Sequence, residues 1–247
     1  MDFISGEILA VDKPLGWTSF DAVKRVRGAI QRRLNMKKFK VGHAGTLDPL
    51  ATGVLIVCTG RATRRIEALQ NGTKEYIATM RLGATTPSFD LETEIDATYP
   101  WQHVTPEQVE AILPQFTGHI LQVPPVYSAV KVDGKRAYKY ARKGAEVELK
   151  AKPLVIEQLE LLESQLPELR LRIVCSKGTY IRALTRDIGR ALGSGAHLTA
   201  LCRTRVGDIT LADCRSVDET VAAISTCELS FPDDFKSSEA NVPSERQ

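Results

Sequence analysis

Between residues 74 and 82 the side chains alternate: Tyr76, Ala78, Met80 and Leu82 fall on one side, Glu75, Ile77, Thr79 and Arg81 on the other. Successive side chains of a strand leave on opposite faces, so this pattern predicts a strand with one face packed inward. Residues 54–58 are apolar throughout, as in a strand covered on both faces. Further strands are expected at 8–12, 155–163, 169–175, 199–203 and 208–211, with an extended stretch at 119–132 interrupted by Pro124-Pro125. Val23, Val26, Ile30 and Leu34 recur at helical spacing, with Lys24, Arg25, Arg27, Arg32 and Arg33 largely opposite and either Thr18 or Ser19 able to cap. Thr105-Pro106-Glu107-Gln108 starts another helix with a cap, a proline and a third-position Gln. Thr179 is expected to cap a helix running to Leu192, its apolar face made by Leu184, Ile188 and Ala191. Shorter helices are expected at 61–69, 134–143 and from Asp218. Strands and helices do not alternate in a βαβ rhythm, which predicts an α+β fold: a mixed, largely antiparallel sheet flanked by helices.

At 247 residues and 43% hydrophobic content the chain can build its core without staples. The five cysteines form no C-x-x-C pair and the four histidines have no ligand spacing, so buried free thiols and no metal are expected. The N-terminus does not read as a signal peptide and no apolar run approaches membrane-spanning length, so no membrane partner is expected and the cytoplasm is the expected compartment.

The net charge of +3 conceals segregation. Residues 13–65 hold twelve Lys or Arg against two acids, residues 131–152 eight against three, and residues 170–205 eight against one. Residues 84–120 hold six acids and no Lys or Arg, and residues 206–247 nine acids against three bases. One basic block is often a solvated helix face. Three together favour a polyanionic partner, because each phosphate neutralised releases a counterion.

Gly42-His43-Ala44-Gly45-Thr46-Leu47-Asp48-Pro49 has two glycines and a threonine but no phosphate-binding lysine at P-loop spacing, which leaves a nucleotide-binding enzyme as a weak reading. Asp-Pro by itself marks a turn. The whole set of motifs is more specific than this one. Lys13-Pro14-x-Gly16-Trp17-Thr18-Ser19, the run Gly42 to Gly53, Lys74-Glu75-Tyr76, Val123-Pro124-Pro125-x-Tyr127-Ser128-Ala129, Ser176-Lys177-Gly178-Thr179-Tyr180-Ile181-Arg182 and Gly195-Ala196-His197-Leu198 occur in this order. This set resembles the TruB family of tRNA pseudouridine synthases, which isomerise uridine 55 in the T loop of tRNA, and the likeness runs from about residue 9 to residue 217.

The resemblance implies the pseudouridine synthase fold over residues 1–230, with a thumb inserted at 123–152. It makes Asp48 the nucleophile, Tyr76 a residue at the target base and Arg182 the cationic partner of Asp48. His43, Tyr76, Tyr180 and Leu201 fall on substrate-contact positions. Lys13 and the thumb's Lys135, Arg136, Lys139, Arg142 and Lys143 suit phosphate contact. The reaction cleaves the glycosidic bond, turns the uracil, rejoins it through C5 and removes the C5 proton, chemistry for which a carboxylate suffices and no cofactor is needed. A guanidinium beside the nucleophile keeps it ionised. Whether Asp48 attacks the ring or the ribose stays open, as does whether Tyr76 stacks or moves the proton.

Many family members continue into an RNA-binding PUA domain. Here residues 231–247 read as a disordered tail, and no such domain is expected. A monomer binding the T-stem loop of tRNA is the expected assembly. The rival is an RNA-binding protein on the same scaffold without catalysis, against which an intact Asp48, Tyr76 and Arg182 argue.

Overall fold

In a computed structural model the protein is described at residues 1–128, 130–132, 134–137, 140 and 148–233. Two compact units emerge, Met1–Gly72 with Arg203–Gln247, and Thr73–Cys202.

In the first unit Ile8–Lys13 lies antiparallel to Ala51–Thr59, from Ile8 opposite Cys58 to Lys13 opposite Gly53. Val41–His43 also pairs antiparallel with Ala51–Thr59, and Arg215–Ser216 adds a parallel neighbour to Ile8–Lys13. The apolar run resolves into two alternating sets. Leu55 and Val57 enter one core with Val23, Val26 and Ile30 of the helix Ser19–Arg33, its C-cap Leu34, and Val217 and Ile224 of the helix Val217–Thr226. Val54, Ile56 and Cys58 enter another with Ala44, Ala62 and Val206. Burial on both faces is why this strand shows no polar alternation.

Thr18, rather than Ser19, caps the first helix. Its hydroxyl accepts from the Asp21 amide while the Asp21 carboxylate accepts from the Thr18 amide, a reciprocal capping box. The segment expected as one helix at 61–69 is a 3-10 turn, Gly60–Arg65, followed by a short helix, Ile66–Gln70.

In the second unit the strand order is Lys74–Leu82, Glu168–Cys175, Lys152–Gln165, Gly118–Gln122, each pair antiparallel. Lys74, Tyr76, Ala78, Met80 and Leu82 are buried, as the alternation predicts. The helix Pro106–Ile112 carries the expected capping box between Thr105 and Gln108. The helix Ile181–Ala191 starts one residue late: Tyr180 is its N-cap with no side-chain bond, and the Thr179 hydroxyl donates to the Ser176 carbonyl instead. Burial reaches Arg182 and Arg186 as well as Leu184 and Ile188, while Ala191, expected inward, is exposed. Within the stretch expected as a helix at 134–143, Lys135–Arg136 is a strand paired with Lys131–Val132, and Ala137 and Tyr140 after it are helical. The strand Ala196–Val206 extends beyond the expected 199–203 at both ends and turns back through Ile209–Thr210.

The expected fold class holds: helices flank a mixed, largely antiparallel sheet. Of the cysteines only Cys58 and Cys175 are fully buried. No helix among the described residues is long and apolar enough to cross a membrane. The side chains of Lys135 and Arg136, and all of Lys139, Arg142, Lys143 and the tail beyond Asp233, lie outside the described residues.

Gly53 marks a close approach. Its φ is +99°, and a Cβ there would stand 2.2 Å from the Arg203 carbonyl oxygen. Gly53→Ala is expected to destabilise the protein by more than the ~1–2 kcal/mol of left-handed strain alone, because backbone must also move. Urea unfolding midpoints measure this.

Candidate active site

Asp48 sits in a loop whose backbone is gripped by three side chains. Ala44 donates its amide to the Ile56 carbonyl, closing the Val41–His43 strand. Beyond it, Gly45 turns at φ +100°. Arg203 is buried beneath the loop, with Nε donating to the Val54 carbonyl at 2.8 Å and the two terminal nitrogens to Gly45 at 3.1 Å and Thr46 at 3.4 Å. Ser19 holds Leu47 twice, accepting from its amide at 2.8 Å and donating to its carbonyl at 3.0 Å. The Ala51 amide then donates to the Asp48 carbonyl. Asp48 itself is partly exposed.

Lys13 departs from its expected role. It is fully buried, and Nζ donates to the carbonyls of Pro14 at 2.9 Å, Trp17 at 2.6 Å and Pro49 at 3.4 Å. An amine spent this way fastens the loop and has no reach to a phosphate. Burial lowers its pKa to about 8, with the Asp48 charge pulling it up and Arg203 pushing it further down. Two buried cations thus stand beside the loop that carries Asp48. Neither Arg203 nor Ser19 was legible as a site residue. Arg203 counted toward a basic block and as the end of an expected strand, and Ser19 as an alternative cap and the last residue of the Lys13-Pro14-x-Gly16-Trp17-Thr18-Ser19 motif.

His43, at the end of the Val41–His43 strand, is partly buried, and its Nδ1 is enclosed without a hydrogen-bond partner. Burial pushes its pKa below the usual histidine value, with a hydrogen bond from the ring to the Gly45 backbone opposing. A neutral imidazole at neutral pH suits contact with a base more than with a phosphate.

In the second unit Tyr76 is buried on its strand opposite Ile173. Arg182, in the first turn of the helix Ile181–Ala191, is buried and held by acceptors from two loops: the Ser88 carbonyl at 3.0 Å and the Tyr127 carbonyl at 2.9 Å. Asp90 faces its Nε at 3.5 Å, both side chains nearly sealed from water. The loop that presents Asp90 is tied by its own hydroxyls, since Thr86 and Ser88 both donate to the Asp90 carbonyl and Ser88 meets Thr93 at 2.8 Å. Phe89 takes a positive φ of 62°, and Arg186 lies over its ring at 5.0 Å. Asp90 was read only as one of six acids balancing the basic blocks. Nothing in its local sequence marks it as an arginine's partner.

Tyr180 is partly buried, with its backbone clamped by the buried Gln122, whose Oε1 accepts from the Tyr180 amide at 2.9 Å and whose Nε2 donates to its carbonyl at 3.2 Å. Leu201 is partly buried on the strand Ala196–Val206. The structure therefore gathers Lys13, His43 and Asp48 in the first unit and carries Tyr76, Tyr180, Arg182 and Leu201 in the second. Among the described residues no cluster of His, Cys, Asp and Glu has the form of a metal site.

Comparison with known proteins places this arrangement. The architecture is shared with the Cbf5-Nop10-Gar1 complex, at TM-score 0.66 and 31% identity over 90% of this chain and 55% of that one. An H/ACA RNP bound to a substrate RNA containing 2'-deoxyuridine aligns at TM-score 0.62 and 29% identity, over 87% of this chain and 52% of that one. The chain spans about half the length of these solved chains. The fold is that of a pseudouridine synthase.

Two family models divide the sequence. The N-terminal domain of TruB family pseudouridylate synthases matches residues 31–181, and the C-terminal domain of tRNA pseudouridylate synthase B matches residues 182–230. A tRNA pseudouridine synthase B of Phocaeicola vulgatus is 68% identical over 218 residues, covering 88% of this chain and 93% of that protein. One from Mycobacterium bovis is 47% identical over 216 residues, covering 86% and 70%. The chain belongs to the TruB family of pseudouridylate synthases, which are isomerases.

The buried ammonium of Lys13 gives a pH dependence. Its loop contacts are made by the protonated amine, so they persist below pH 8 and weaken as Lys13 deprotonates above it. The single-turnover rate is expected to fall on the alkaline side with an apparent pKa near 8. A rate that is flat through pH 9.5 contradicts the fastening role.

Proposed function

We propose that this enzyme converts uridine 55 in the T loop of tRNA to pseudouridine with Asp48 as nucleophile. The observation that carries the reading is the Asp48 loop. Its backbone is fixed by Arg203, Lys13 and Ser19, while the carboxylate-bearing residue stays partly exposed. A covalent catalyst needs this combination of fixed position and access. The naming of its relatives as tRNA pseudouridine synthases supports tRNA as the substrate.

Asp48 attacks the nucleoside and forms a bond to it while the bond between C1' and N1 breaks. The uracil turns, a bond forms from C1' to C5, the bond to Asp48 breaks with its electron pair returning to the carboxylate, the C5 proton leaves, and N1 gains a proton. Atoms balance within the substrate, and no electron acceptor enters. Tyr76 contacts the extruded base, and Arg182, held by Asp90, Ser88 and Tyr127, serves as the cationic partner of Asp48. Extrusion costs roughly a few kcal/mol. His43, Tyr180 and Leu201 offset this by contacting the loop that is opened. The thumb at 123–152 grips the T stem through Lys135, Arg136, Lys139, Arg142 and Lys143. Residues 1–230 form the catalytic domain, and the enzyme works as a monomer in the cytoplasm.

Tritium release from tRNA labelled at uracil C5 tests this reading. Wild type is expected to release label stoichiometrically from one uridine in the T loop. Asp48→Asn is expected to fall below about a thousandth of the wild-type rate while binding tRNA within about threefold, because the basic segments rather than the carboxylate supply affinity. Wild type that binds tRNA without releasing label is an RNA-binding protein. Asp48→Asn that loses binding and activity together makes the aspartate structural.

A further inference from the structure

Among the described residues of the first unit, two large apolar side chains stand out in solvent: Leu15, 63% exposed, and Phe20, 59% exposed. Both lie next to the Asp48 loop. The Gly16 amide donates to the Pro49 carbonyl, and Ser19, the neighbour of Phe20, holds Leu47 by two hydrogen bonds. An aromatic ring left in water at the start of a helix contributes little to the core beneath it.

Phe20 heads a stripe at helical spacing. Lys24, Arg27 and Gln31 follow on the same side of the helix Ser19–Arg33, whose opposite face makes the core. Arg27 lies over the Phe20 ring at 5.7 Å. Its guanidinium is lightly tied, by one 3.4 Å bond to the Val41 carbonyl, with Nε lacking an acceptor. Gln31 donates to the Lys37 carbonyl, so the stripe leads toward the exposed Lys37, Lys38 and Lys40. The one acid of the helix, Asp21, has its carboxylate occupied by the amide and hydroxyl of Thr18. An exposed ring continuous with a row of cations is the chemistry that binds single-stranded nucleic acid, in which a base stacks on the ring while the cations follow the phosphates. It is poorly suited to an acidic protein helix, which needs no exposed aromatic face.

We propose that Phe20, with Lys24 and Arg27, forms a second RNA contact, separate from the target-uridine site, on which an unpaired base of the tRNA stacks. The inference rests on the reading that tRNA is the substrate. It assigns Phe20 to binding rather than chemistry, and Arg27 to backbone charge and to holding the ring.

The test uses the full chain and a full-length tRNA transcript, with affinity and the rate at saturating tRNA measured separately. Phe20→Ala is expected to weaken affinity about tenfold, the loss of one stacked base, with the saturated rate unchanged. Phe20→Tyr, which keeps the ring, is expected to bind within about twofold of wild type. Arg27→Gln is expected to reduce the slope of log affinity against log salt by about one. The proposal is overturned if Phe20→Ala binds like wild type, if Phe20→Tyr loses as much affinity as Phe20→Ala, or if the saturated rate falls while affinity holds. Wild type that converts no uridine in tRNA sinks the functional reading itself. Conversion by wild type with no effect in the Phe20 series sinks only this contact.

Discussion

Arg203 is the residue on which the Asp48 loop depends. A guanidinium presents donors in a rigid planar fork, and here that fork is spent on three backbone carbonyls, those of Gly45, Thr46 and Val54. Val54 belongs to a strand buried on both faces, so the arginine ties the loop to the buried interior of the first unit. Burying a charge is costly, and carbonyl dipoles aimed at it are part of the compensation. Lys13 repeats the device with three carbonyls of its own. The result is a loop whose shape is set by cations that stand beside the residue it carries, Asp48.

The second unit solves a similar problem with a different arginine. Arg182 bridges two loops and an aspartate, so its own orientation depends on the backbone at Ser88 and Tyr127 and on the hydroxyl-tied turn around Asp90. Gln122 does for Tyr180 what Ser19 does for Leu47: one buried side chain satisfies the amide and carbonyl of one residue and fixes its direction. Tyr180, expected to touch RNA, is thus placed by a side chain that was not.

Much of this architecture was legible because burial leaves a period in the sequence. The Lys74–Leu82 alternation and the Val23, Val26, Ile30, Leu34 face translate directly into packed surfaces. The motif around Asp48 marked a loop of consequence, and the capping box at Thr105 could be read from four residues. What could not be read were pairings set by the fold alone. Arg203 reaches a loop more than 150 residues earlier, and Asp90 reaches Arg182 across 92 residues, with no periodicity to announce either. The misreading of Lys13 has the same origin. In sequence it stands beside Pro14 and Gly16 like any exposed turn lysine, and only the fold closes carbonyls around it.

Arg203→Lys, which keeps the charge while removing the fork, tests most directly whether buried cations hold the Asp48 loop in a reactive shape. The deciding measurement is the single-turnover rate of uridine isomerisation with enzyme in excess over tRNA, so that affinity does not limit the result. The structure predicts a fall of at least about tenfold, the scale expected when a catalytic group is misplaced by a fraction of an ångström to an ångström. A wild-type rate in Arg203→Lys would contradict it, because charge without the fork would then be enough.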